Sequence, residues 1–513
     1  MAVRIISIAL AGVTLASCSS QNTSTSFWQG DFHLTTGVSN ACQQLHQSYP
    51  SEVLSPSSAN YTAETQLFWD VRSALSPACI FQPRNADEVA HGLKIVSDSN
   101  APFAIRGGGH MNASNFCRRK MSFPGSNNID GGVLITLNKL QDYKVHNDTI
   151  EVGPGMKWID VIRALEPYGR AVIGGRLKTI GVPGLTLIGG VHYFINKYGF
   201  AMDNVDRYDV VLGNGTQVIA DSATNTDLFW ALKGGANNFG LVTKFTLRTY
   251  DIPKVSTTIQ AFEEDQIYDF IKACVALSRV DSPDPVAAGG VFTIQYNATT
   301  KVASASAMGV QEGVSNPPSQ FANFTAVDGP MKIHNVTNMR QWTEDKNTPN
   351  QMFRVAFTVH SIVPDTDRIY EIYQAWKDGV DTLADVQGLY PTFVINLCPT
   401  GAVRAGQKTA VGNTWDLPLE PAIWWQFSTG WALAQDDLRV TSWSRNLADD
   451  LHEKNRELSL AREHIYMGDA GEFQDAFATF PSGNIKRMKE IRNAVDPNGV
   501  FSRLNWGGFK LGP

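Results

Sequence analysis

The chain has 513 residues, 43% of them apolar and 18% charged, with a formal charge of −6. This is enough for two or three domains with sizeable cores, and the composition is that of a globular chain, not a disordered one. The longest basic run is Arg118-Arg119-Lys120, so the chain lacks the electrostatic footprint of a nucleic-acid binder, and no segment beyond residue 18 has the 18 uninterrupted apolar residues of a membrane span.

Residues 1–18 read as a secretory signal: Arg4 is the sole charge, Ile5 to Leu15 form an apolar core, and Ala16, Ser17 and Cys18 follow. Leu15-Ala16-Ser17-Cys18 also has the form of a bacterial lipoprotein box. Plain secretion is favoured by eight Asn-x-Ser/Thr sequons, at Asn22, Asn60, Asn112, Asn147, Asn214, Asn297, Asn323 and Asn335, which imply glycosylation in a eukaryotic secretory route and surface positions for most of them. Asn112, close to His110, is expected to stay bare. Past the signal, five cysteines remain: Cys42, Cys79, Cys117, Cys274 and Cys398. None has metal-site spacing. Cys42 with Cys79 is the best disulfide candidate, tying the N-terminal segment to the first strand.

Residues 19–74 are rich in Ser, Thr and Gln, with a short helical patch at Ala41 to Ser48. From Cys79 the texture changes. Ile80 to Pro83 reads as a strand, and Asn85-Ala86-Asp87-Glu88 opens a helix with acids in its first turn and an apolar face of Val89, Leu93 and Val96. Pro102 to Ile105 forms the next strand and runs into Arg106-Gly107-Gly108-Gly109-His110. Three glycines let the chain press against a ligand, an arginine can bind an anion, and a histidine can act as nucleophile or ligand. Taken alone, this is equally a glycine-rich surface turn. Strands follow at Gly132 to Leu137 and Thr149 to Val152, then a helix from Lys157 to Pro167. Gly174 to Tyr198, with six glycines and the apolar run Leu185 to Ile188, reads as a buried, turn-rich path. Asp209 to Leu212 and Gln217 to Ala220 flank the hairpin signal Gly213-Asn214-Gly215. Asp227 to Leu232 is a helix, and Leu241 to Thr249 closes the region.

Residues 253–461 alternate longer helices (Asp265 to Leu277, Asp367 to Gly379, Leu433 to Leu458) with strands (Val291 to Tyr296, Phe353 to Val359, Thr392 to Asn396). This predicts an antiparallel sheet with helices on one face, and an α+β class for the whole chain. The tail, 462–513, carries a strand and a helix from Asn484 to Ala494.

Several segments occur in the order of a known family. Gln82 to Val89, Arg106 to His110, Gly181-Val182-Pro183-Gly184-Leu185-Thr186-Leu187-Ile188-Gly189-Gly190, Tyr198-Gly199, Asp203-Asn204-Val205, Leu228 to Gly240, and Asp496-Pro497 with Phe501 together resemble the FAD-linked oxidases of the berberine bridge enzyme type, within the vanillyl-alcohol-oxidase-like (PCMH) fold. The resemblance covers nearly everything after residue 75. It implies a PCMH-type FAD-binding region at 75–252, a substrate region at 253–461 and a C-terminal segment at 462–513 that returns to the FAD region.

The resemblance further implies FAD held by Arg106, Gly107, Gly108, Gly109, His110, Gly181, Gly184, Leu185, Thr186, Gly189, Gly190, Asn238, Gly240 and Val242, with successive backbone N–H groups converging on the pyrophosphate. His110 would be bonded to the flavin 8α-methyl carbon; the alternative is a His110 that only packs near FAD. Many relatives carry a second attachment through a Cys in G-x-C-P-T-V-G, where this chain has Gly175-Arg176-Leu177-Lys178-Thr179-Ile180-Gly181. With Leu177 at that position, attachment at one point is expected. Gly175 falls where relatives admit or exclude O₂, and a glycine there is expected to leave room, whereas the bulk of Ile180 argues the other way. Candidates for the proton-removing base are Tyr466, Asp469 and His192, with Tyr193 beside His192 and Asp416 ranked lower.

The activity implied is hydride removal from a small organic substrate by a monomeric secreted enzyme, with O₂ reduced to H₂O₂. Alcohol oxidation or oxidative cyclisation of a polyketide- or alkaloid-type secondary metabolite ranks first, and a secreted carbohydrate or alcohol oxidase second. The rival is a flavin-containing cyclase without net redox.

Overall fold

A computed structural model describes residues 36–110, 127–346 and 354–512. The signal, Asn22, Asn112, Cys117 and Phe353 lie outside the described residues. The chain begins with the helix Thr36–Ser48, which buries Val38, Ala41 and Leu45 against the helix Ala86–Asp98. The latter starts where the sequence predicts. Asn85 is its N-cap, its side chain accepting a 2.9 Å bond from the Glu88 amide, a contact worth about 1 kcal/mol. Val89, Leu93 and Val96 lie on its buried face.

That helix is the crossover of a parallel unit. Strands Cys79–Phe81, Val133–Thr136 and Phe103–Arg106 lie side by side in that order, with Val53–Leu54 antiparallel on the outer edge. A Cys42–Cys79 disulfide, 37 residues apart in sequence, ties the first helix to this sheet. Cys274 and Cys398 are buried free thiols.

The second sheet is antiparallel, in the order Tyr143–Val145, Thr149–Val152, Leu241–Asp251, Val205–Val211, Gln217–Asp221, and Arg170–Val172 pairs with the far end of Leu241–Asp251. The expected hairpin joins Val205–Val211 to Gln217–Asp221. The stretch read as a buried, turn-rich path contains a short helix, Val182–Leu187, with Pro183 near its start, where a missing N–H costs nothing.

The third sheet has eight strands, all antiparallel: Met331–Thr337, Val255–Phe262, Val302–Glu312, Ala288–Asn297, Tyr390–Cys398, Ala422–Trp431, Arg354–Ile362 and Ala461–Arg462. Four of these, 255–262, 302–312, 331–337 and 422–431, were not expected from the sequence. Helices Ile267–Ser278, Thr366–Asp381 and Asp437–Glu457 join this sheet in one core, where Phe270, Ile372 and Trp376 meet Phe292, Phe393 and Trp425. Because side chains alternate along a strand, Trp425 belongs to this helix-covered core, whereas its neighbour Trp424 belongs to the core of the antiparallel sheet below.

The tail folds back. Ser482–Val495 packs on Thr226–Leu232, and the Asp496 carboxylate accepts the amides of Val500 and Phe501 at 2.8 and 2.7 Å. The Trp506 amide then donates to Phe103 O at 2.6 Å, beside the strand that leads into the triple glycine.

Candidate active site

The triple glycine and the Gly181–Ile188 stretch come together as two walls of one large cavity, enclosing about 1690 Å³ of empty space with its open mouth included. Gly108 and Gly181 face each other so closely that a Cβ on Gly108 would lie 2.3 Å from the Gly181 nitrogen, and a Cβ on Gly181 2.5 Å from the Gly108 nitrogen. Gly109 has φ +74°, and a Cβ there would sit 2.6 Å from Leu67 O. These glycines exist so that bare backbone can form the wall. Gly184 also lines the cavity, and there a Cβ would meet nothing within 4 Å, so a side chain would enter the space a ligand would use.

His110 stands at the end of the triple-glycine loop, stacked on Trp69 at 5.6 Å between centroids and 19° between planes. The Trp69 amide donates to Gly109 O at 2.9 Å, locking indole and loop together. Burial, reinforced by the charge of Lys157, pulls the His110 pKa down to about 4. The ring is therefore neutral at physiological pH, with a nitrogen lone pair available.

On the same cavity lies a polar cluster from three distant segments. Asp469, after the last strand, accepts a 2.6 Å bond from Asn396 Nδ2 on Tyr390–Cys398. Asn396 Oδ1 in turn accepts from Arg176 Nη2 at 2.9 Å, while Arg176 Nη1 donates to Gly290 O at 2.9 Å. Burial lifts the Asp469 pKa to about 6, against the opposing pull of Arg176 and Asn396. Tyr466 stacks on Trp424 at 4.9 Å and its hydroxyl accepts from the Val191 amide at 3.3 Å. Burial, with the Asp469 charge nearby, pushes its phenol well above the ordinary range, so it holds its proton across working pH.

Of the residues singled out in the sequence, Gly107, Gly108, Gly109, His110, Gly181, Gly184, Leu185, Gly240, Val242, Tyr466 and Asp469 line this cavity. Arg106, Thr186, Gly189, Gly190, Asn238 and His192 do not, each for a visible reason. Arg106 is turned away, ion-paired with Glu64 and donating to Glu64 O at 2.6 Å beneath the Phe68 ring. The Thr186 hydroxyl closes on Val182 O one helical turn back, at 2.7 Å. Gly189, at φ +108°, makes room for Trp415, and Gly190 for Leu185 and Ala201. Asn238 is a clamp for the tail, bonded to Gly235 O and Phe509 O and accepting the Leu511 amide. His192 is buried in the wall of a second, smaller cavity.

Two further expectations are corrected. The space beside Gly175 is not open, because a Cβ there would lie 2.4 Å from Cδ1 of Trp158, whose ring fills it. Asp416 is an exposed turn residue at φ +47°, outside the cavity. Leu177 and Ile180 do line the cavity. Sequence reading missed Arg176, Asn396, Trp69 and Phe357. Only Arg176 carried a local signal, being a charge inside a glycine-rich apolar stretch.

Residues 77–221 match the FAD binding domain family. The chain is 30% identical over 505 residues to the FAD-dependent monooxygenase prx3 of Penicillium roqueforti, covering 93% of this chain and 96% of the relative. It is 29% identical over 489 residues to the bifunctional solanapyrone synthase of Alternaria solani, covering 94% and 91%. Among solved structures, Physcomitrella patens BBE-like 1 superposes with a TM-score of 0.73 at 17% identity, covering 91% of this chain and 99% of that one. The Acremonium strictum glucooligosaccharide oxidase, described with a 6-S-cysteinyl, 8α-N1-histidyl FAD, superposes with a TM-score of 0.71 at 18% identity, covering 92% and 99%. A glycine-walled cavity with room for a dinucleotide, and relatives spanning nearly the whole chain, place this protein in the FAD-dependent oxidoreductases of the berberine-bridge-enzyme-like family, with the PCMH-type α+β fold.

Proposed function

We propose that the protein is an oxidase of a small organic substrate, with Asp469 as the proton acceptor and His110 as the single covalent anchor of FAD. The observation that carries the reading is the placement of a carboxyl of raised proton affinity and a neutral imidazole on one glycine-walled cavity. The walls fit the cofactor: Gly107 to Gly109, Gly181, Gly184, Gly240 and Val242 would hold it, with the space beside Gly184 left free of any side chain. When bound, FAD supplies the two-electron acceptor for substrate hydride.

The chain's own groups do the rest. The neutral His110 ring, held by Trp69, presents a nitrogen able to form a carbon–nitrogen bond. Leu177, where a second thiol anchor would otherwise stand, offers no nucleophile. Asp469, ionised above pH 6, takes the proton from a substrate hydroxyl or acidic C–H, and Asn396 fixes the direction of its carboxylate. Trp69, Phe357 and Leu185 give the site apolar walls that suit a hydrophobic, ring-bearing substrate better than a sugar. This supports oxidation or oxidative ring closure of a secondary metabolite, with O₂ as final acceptor and H₂O₂ as product. Secretion is part of the proposal: the six described sequon asparagines, Asn60, Asn147, Asn214, Asn297, Asn323 and Asn335, are all exposed.

The test is anaerobic mixing of the purified holoenzyme with small-molecule extracts. Loss of the flavin absorbance, recovered in air with one H₂O₂ per substrate oxidised, is the expected result. Absorbance that no candidate bleaches would overturn it, and incorporation of an oxygen atom into product would make the enzyme a monooxygenase instead.

A further inference from the structure

The second cavity, about 470 Å³ with its mouth included, lies between the segment after Gly190 and strand Ala288–Asn297, and shares Arg176 and Val191 with the large one. Among the described residues, Arg176 is the one charged residue of its lining, and His192 stands beside it. The His192 ring, 3% exposed, accepts the Phe194 amide on Nδ1 at 3.2 Å. The neutral ring must therefore carry its proton on Nε2, a donor with no hydrogen-bond partner among the described residues. Arg176 donates only to neutral oxygens, those of Gly290 and Asn396. Lys346, whose ammonium is close enough to His192 to disfavour its protonation, donates to Arg176 O at 3.1 Å and to the Tyr193 hydroxyl. Among the described residues neither cation forms an ion pair with a carboxylate. The Arg176 guanidinium and the unused His192 N–H thus line one small space, with the Lys346 ammonium behind them on Tyr193 and Arg176 O, a positively charged set of donors that suits an anion.

We propose that this second cavity is a carboxylate-binding site, with His192 Nε2–H and the Arg176 guanidinium as direct donors and Lys346 as a supporting charge. The carboxylate belongs either to one end of the substrate oxidised next door or to a free organic acid. Arg176 is common to both cavities, so occupation would be felt at Asn396 and Asp469. The inference deepens the reading above by giving the substrate site an acidic handle, and rests on that reading only for its link to catalysis.

The probe is sodium acetate, titrated into flavin-loaded enzyme at pH 7 with ionic strength held constant by sodium chloride. Binding is followed by calorimetry and by melting temperature. Saturable binding in or below the millimolar range is expected, about tenfold weaker in His192→Phe and in Lys346→Met. No saturable response in the wild type up to about 100 mM, or an undiminished response in both variants, would overturn the site. Flavin absorbance checks that each variant is folded, and Lys346→Met stands alone if His192→Phe fails that check. With a substrate in hand, acetate raising KM without changing kcat marks the substrate's own carboxylate, whereas binding that leaves KM unchanged marks a free acid. Should the enzyme bind acetate while its flavin never bleaches, the site survives and the oxidase reading falls.

Discussion

A single proton decides what Asp469 can do. Its pKa near 6 means that the basic form accumulates only as pH rises through that value, so kcat/KM for a substrate that must lose a proton should climb through about pH 6 and level off above it. Asp469→Asn should lower kcat by about 10²–10⁴-fold, read by steady-state H₂O₂ release. The same shift has a stability consequence of opposite direction. The folded state holds this proton more tightly than the unfolded chain, so the carboxyl supports folding at acid pH and costs stability as pH passes from 4 to above 6. The apo form of Asp469→Asn should thus resist denaturant better at pH 8, by about 1–3 kcal/mol. At His110, with its pKa near 4, no such titration occurs in the working range, and the His110→Ala protein should release its flavin into acid supernatant where the wild type keeps it in the pellet.

The elements explain what could and could not be read from the chain. The glycine loops were legible because runs of glycine stand out in the chain itself, although the reason for them, the close approach of Gly108 to Gly181, spans 73 residues and shows only in the fold. The helix at Ala86 was legible from Asn85 and its acids. Strand Ala422–Trp431 was not, because with both its faces buried it reads Ala-Ile-Trp-Trp-Gln-Phe and shows no alternation. Val302–Glu312 alternates only between alanine and serine, too small a contrast to announce a strand. The Arg176–Asn396–Asp469 chain was invisible for another reason: its members are 220 and 73 residues apart, and only the pairing of Tyr390–Cys398 within the third sheet brings Asn396 between Arg176 and Asp469. His192 shows the converse error, for its neighbours Gly189 and Gly190 match a family motif, yet the chain turns it into a different space. Element geometry also yields a prediction. Asn396→Ala removes a donor that favours the Asp469 carboxylate, so the acidic limb of the pH–rate profile should move upward by about one unit, with kcat at high pH largely kept. A Gly184→Leu substitution, whose Cβ would meet nothing within 4 Å and whose side chain would enter the cavity, should leave a folded but colourless protein, which melting and visible absorbance would show together.

At the scale of the molecule, three sheets and a returning tail converge on one cavity, and the N-terminal helix is held to the parallel sheet by the Cys42–Cys79 bond. Replacing both cysteines by serine should reduce stability by about 3–4 kcal/mol in denaturant titrations, without altering the flavin spectrum, since neither residue reaches the cavity.

Ala422–Trp431 is one ribbon with a foot in each of two hydrophobic interiors, Trp424 in one and Trp425 in the other. Pulling that ribbon out would open both interiors at once. Neither half can then loosen as a private event, and the protein should melt as a single calorimetric peak. Proteases should find no large surviving fragment to leave behind, and any lesion in those ten residues should be lost to the cell as missing protein rather than seen as altered chemistry.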